Sequence, residues 1–71
     1  MNGDLVSNLE GAILSAQRLH GKRVYRETLQ HWDELLAMAR EEISTMTISL
    51  SLKVAALADQ LEFQITEFRG D

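Results

Sequence analysis

Residues Ser44–Val54 read STMTISLSLKV, a run in which Met46, Ile48, Leu50, Leu52 and Val54 alternate with polar residues or lysine. A period of two is the mark of a half-buried β-strand. A lone strand leaves its backbone donors and acceptors unpaired, and no second strand-like run is present to receive them. The stretch is therefore read as helix, which makes the fold class all-α. Two forms stay open, because Ser44 and Thr45, followed by further serine and β-branched residues, suit a fresh helix start as well as an interruption.

Outward from this stretch the apolar pattern is helical in both directions. Upstream, Tyr25, Leu29, Trp32, Leu36, Ala39, Ile43, Met46 and Leu50 recur in alternating steps of four and three, a heptad seam. The strict register fails at Lys53, and the stripe resumes at Val54, Leu57, Leu61, Ile65 and Phe68. Such a slip can be absorbed because an α-helix does not repeat every seven residues. Leu35, Ile48, Leu52 and Phe63 fall off the seam, so the apolar surface is wider than a two-stranded coiled coil needs and predicts contact with more than one helix.

From Lys22 to Arg69 there is neither proline nor glycine. The chain is thus expected to form a helical hairpin with a long second helix, or three short helices if broken near Ser44. An unbroken second helix of about 45 residues would run roughly 65 Å, which a first helix of about seventeen residues cannot cover. In either form uncovered apolar surface is expected, and with it assembly into an oligomeric bundle, a homodimer or higher.

The first helix is predicted from about Asp4 to His20. Leu5, Leu9, Ala12, Ala16 and Leu19 form its stripe, widened by Val6, Ile13 and Leu14. Asn2 or Asp4 can cap it, and Ser7 with Glu10 forms the S-x-x-E pattern of a later start. Gly11 weakens the middle by about 1 kcal/mol relative to alanine unless a neighbouring backbone packs closely there. Gly21 suits a left-handed helix end, with Arg18 and His20 facing the negative pole of the helix.

Seventy-one residues make one domain, residues 1–71, near the lower size limit for a self-sufficient core. The chain has no cysteine, which excludes disulfides and thiolate metal sites. No window approaches the ~18 apolar residues of a membrane span, and no leader pattern opens the sequence, so a cytoplasmic location without membrane contact is the expectation. A net charge of −4 opposes nucleic-acid binding through bulk charge.

Four of the seven basic residues nevertheless cluster in RLHGKRVYR: Arg18, Lys22, Arg23 and Arg26. Beside the free amides of the following helix start, they form a candidate anion site for phosphate or an acidic peptide. The plainer role is to satisfy a helix end, carry solvated loop charge and pair with an acidic neighbour.

Glu27, His31 and Glu34 share one helix face, but in the order His-x-x-Glu, the reverse of the di-iron bundle motif, and without a second copy. Surface pairing is the expected role, and neither a metal nor a cofactor is assigned. The pairs Asp33/Glu34 and Glu41/Glu42 resemble catalytic carboxylates only until the helix turn separates each second member by about 100°. No Ser, His and carboxylate share a recognisable spacing, so no catalytic residue is assigned and the chain is read as not an enzyme.

What remains is an interaction protein of the adaptor, inhibitor or co-chaperone type, which self-associates and modulates a protein partner. Its expected contact residues are Tyr25, Leu29, Trp32, Leu36, Ile43 and Leu50, joined by Phe63, Ile65 and Phe68 in EFQITEF. The alternative is a phosphate-ligand, nucleotide or nucleic-acid binder that uses the basic turn in an oligomer.

Overall fold

The computed structural model describes residues 2–70, and side chains from residue 4 onward. Helix α1 spans Asn2–Arg18, α2 Arg26–Glu42 and α3 Ile48–Arg69, with one short 3₁₀ turn at Ile43–Thr45 and no strand among the described residues. The second helix is thus broken, and the three-helix form of the expectation holds. The bundle is 36 Å long and 18–19 Å across, too short for an unbroken 65 Å helix.

The break has a local cause. Thr45 Oγ1 donates to the Glu42 carbonyl at 2.8 Å, capturing an acceptor at the end of α2. Glu41 and Glu42 also stand at that helix's negative pole, where carboxylates are unfavourable. Met46 and Thr47 then extend, with ψ near 160° at both, and turn the chain back. Thr47 caps α3, its side chain accepting from the Leu50 N–H at 3.4 Å. The cap therefore comes later than the predicted Ser44 or Thr45, because the serine- and threonine-rich run offers several acceptors and only Thr47 follows the extended residue.

The strand-like alternation also resolves. Leu50 and Val54, four apart, turn inward, whereas Ile48 and Leu52, also four apart, turn outward. A helix that is apolar on two opposed faces reads as period two over a short window.

Other boundaries shift by about two residues. α1 ends at Arg18, and Leu19 to Lys22 form turns closed by the His20 N–H donating to the Gln17 carbonyl and the Lys22 N–H to the Leu19 carbonyl. Gly21 has φ +78°, the left-handed conformation its position requires. The capping role predicted for Asn2 concerns a side chain outside the described residues. Asp4 and Ser7 lie inside α1, so neither starts it. Tyr25, the first seam residue, is the N-cap of α2 and stands exposed, because the helix begins one residue after it.

The core is a single cluster. α1 contributes Leu5, Leu9, Ala12, Ile13 and Ala16, α2 contributes Trp32, Leu35 and Ala39, and α3 contributes Val54, Ala58, Leu61 and Ile65. Much of the seam thus packs against the chain's own helices. Trp32 stacks on Phe68 with ring centroids 5.6 Å apart and planes tilted by 48°. Arg40 of α2 binds both Asp59, at 3.0 Å, and Glu62 of α3, while Arg69 at the end of α3 binds Asp33 of α2. These pairs cross one helix contact at two levels and set the antiparallel register of α3 on α2. Glu62 and Asp59 together hold the Arg40 guanidinium above its ordinary pKa. Being partly exposed, such pairs contribute at most about 1 kcal/mol each.

Candidate interaction surface

Among the residues expected to make contacts, Trp32 and Ile65 are buried in the core. Leu29, Leu36, Ile43, Leu50 and Phe68 are half-buried against it. Each of these seven packs at least in part against the chain's own core. Of that set, Tyr25 and Phe63 are exposed, for different reasons: Tyr25 precedes its helix, whereas Phe63 projects from the outer side of one.

Phe63, 64% exposed, is not alone. Leu52 on the same helix is 68% exposed, and eleven residues, or about three helical turns, bring it onto the same stripe, with exposed Ala56 between them. On α1, Leu14 is 55% exposed. Two adjoining shallow grooves run between α1 and α3 and share Ile13, Gln17 and Gln60. Leu14 and Leu57 line one, and Phe63 lines the other. The result is an apolar strip that crosses from α1 to α3, edged by Glu10, Asp59 and glutamine side chains.

The stripe arises because α3 is apolar on two sides. Its inner side is filled by Val54, Ala58, Leu61 and Ile65, and Leu52, Ala56 and Phe63 lie outside. Leu52 and Phe63 were visible in the sequence as residues off the seam. Leu35 carried the same signal and turns inward, so only the fold separates them. The role of Leu14 was hidden within the widened stripe of α1.

A second groove lies between α1 and α2, lined by Ser7, Asn8, Gly11, Ala12, Ser15, His31, Trp32 and Leu35. A methyl group added at Gly11 would meet no atom within 4 Å, so no backbone of this chain packs closely there.

The four basic residues flank the turn between α1 and α2. Arg18 occupies the last turn of α1 and Arg26 the first residue of α2, with Lys22 and Arg23 between, all exposed. Among the described residues none of the four makes an ion pair, so the expected pairing of Arg26 with an acidic neighbour does not occur. The α2 start has no side-chain cap. Glu27, His31 and Glu34 are exposed, and no cluster of three or more potential metal ligands occurs among the described residues.

The described residues contain no buried polar or charged side chain and no helix long and apolar enough to cross a membrane. No family of known proteins, no curated protein sequence and no solved structure matches the chain.

Proposed function

We propose that this chain is a non-enzymatic helical interaction protein, which self-associates and modulates a protein partner through the α1–α3 surface. The observation that carries this assignment is the second apolar face of α3, uncovered by the chain that fills the first. The apolar stripe of a surface helix normally faces a packing neighbour. Exposed leucine and phenylalanine grouped on one strip, rather than scattered singly, mark a contact surface. In support of a binding role, the hollows between the helices are open grooves.

The test is capture from a lysate of the source cells with immobilised wild type and with Leu14→Glu/Phe63→Glu. A partner retained by wild type and lost by the double variant is the expected outcome. Identical capture by both folded proteins would remove the α1–α3 surface from the function.

A second assignment, a binder of nucleotides, nucleic acid or another phosphate ligand, is favoured by one observation: four exposed basic side chains without ion pairs beside an uncapped helix start. In that case the purified protein would carry excess absorbance at 260 nm that vanishes at high salt and in Arg23→Glu/Arg26→Glu.

A further inference from the structure

The charges around the α1–α3 strip have an order that the strip alone does not explain. Lys53, Gln60 and Glu67 are spaced by seven residues and therefore lie in one row along α3, with Gln60 midway between opposite charges. Gln60 lines both α1–α3 grooves, which places this row on the strip. Ile13 of α1 lines the same two grooves and marks the same level. On α1 the one charged residue that lines these grooves, Glu10, precedes that level. Lys53, Glu67 and Glu10 are exposed, and none of the three makes an ion pair among the described residues.

A surface whose charges change sign across a midpoint is complementary to itself after a half-turn about that point. We propose that a second copy of this chain covers the α1–α3 strip in antiparallel orientation, with the two-fold axis passing close to Gln60. This deepens the self-association proposed above and rests on it. The half-turn brings Lys53 of each copy to Glu67 of the other. Leu14 and Phe63, near the axis, become the closed centre, and the charges form the rim. A parallel pairing about an axis along this row would oppose Lys53 to Lys53 and Glu67 to Glu67. Asp59, next to Gln60, brings a carboxylate near the axis in both copies, and each is already bonded to its own Arg40 at 3.0 Å.

The absence of cysteine allows a direct test with introduced thiols. A disulfide needs Cβ atoms within about 4.5 Å, so it reports which residues meet across the interface. Under mild oxidation Gln60→Cys should form a covalent dimer. Lys53→Cys and Glu67→Cys should each stay monomeric on denaturing gels, yet cross-link when mixed. Light scattering should show that Lys53→Glu raises the dimer dissociation constant roughly 5-fold through loss of two symmetric pairs, and that adding Glu67→Lys restores it. Circular dichroism of each variant establishes that the helices are retained.

Self-cross-linking of Lys53→Cys and of Glu67→Cys would overturn the antiparallel order. A wild-type dimer with no cross-link at Gln60→Cys would move the interface to another face. A monomer at every concentration would eliminate the second copy altogether. In that last case, capture of a partner that depends on Leu14 and Phe63 would leave the broader interaction assignment standing.

Discussion

The two sides of α3 are built from similar residues and meet opposite fates. Leu61 and Phe63, two positions apart, are respectively fully buried and 64% exposed. The inner side is defined by neighbours on α1 and α2, the outer by none. Apolar character thus states that a surface seeks cover, and the fold decides whether the same chain supplies it. α3 thus fills its own core with one side and leaves apolar residues uncovered on the other.

Substitutions on the two sides should separate these roles. Leu61→Ala opens a cavity in the cluster and should lower the unfolding free energy by about 2–5 kcal/mol in a urea titration. A loss below about 1 kcal/mol would mean that the inner face is loosely packed. Thr47→Ala, at the start of the same helix, removes the cap acceptor. With a 3.4 Å bond, the expected cost is about 0.5–1 kcal/mol, visible as an earlier thermal transition. Phe63→Ala should change the stability of dilute, monomeric protein by no more than about 0.5 kcal/mol, because its ring leaves no void behind. A larger loss would show that the outer face supports the fold after all and erase the contrast.

The helical class, the turn at Gly21 and the existence of a break after α2 are legible in the sequence. Glycine at a left-handed position and a serine- and threonine-rich run act locally, so the residues themselves announce their effect. The exact cap is less legible, since Ser44, Thr45 and Thr47 all offer oxygens and the choice depends on where the chain extends. Least legible is the sorting of off-seam residues. Leu35 goes in and Leu52 goes out because α1 returns over the bundle, a contact between distant parts of the chain that periodicity does not encode. The same gap misplaced Tyr25: the seam counts it as a heptad residue, but the helix that would have turned it inward starts at Arg26.

The candidate surface was legible to the same degree. Of Phe63, Ile65 and Phe68, expected together as contact residues, Phe63 faces outward and Ile65 is buried. The third, Phe68, stacks on Trp32 instead. The basic turn was fully visible, as clustered charge always is, and its geometry adds the lack of ion pairs among the described residues.

Four of the buried core residues are alanines: Ala12, Ala16, Ala39 and Ala58, spread over all three helices. Their side chains add little apolar area, but small residues at helix contacts let the axes approach closely, in keeping with a bundle 18–19 Å across. Any longer side chain there would act as a wedge, at a typical cost of about 1–3 kcal/mol. The tightest limits on variation in this protein therefore fall on its smallest core residues, where size rather than hydrophobicity is the property under constraint.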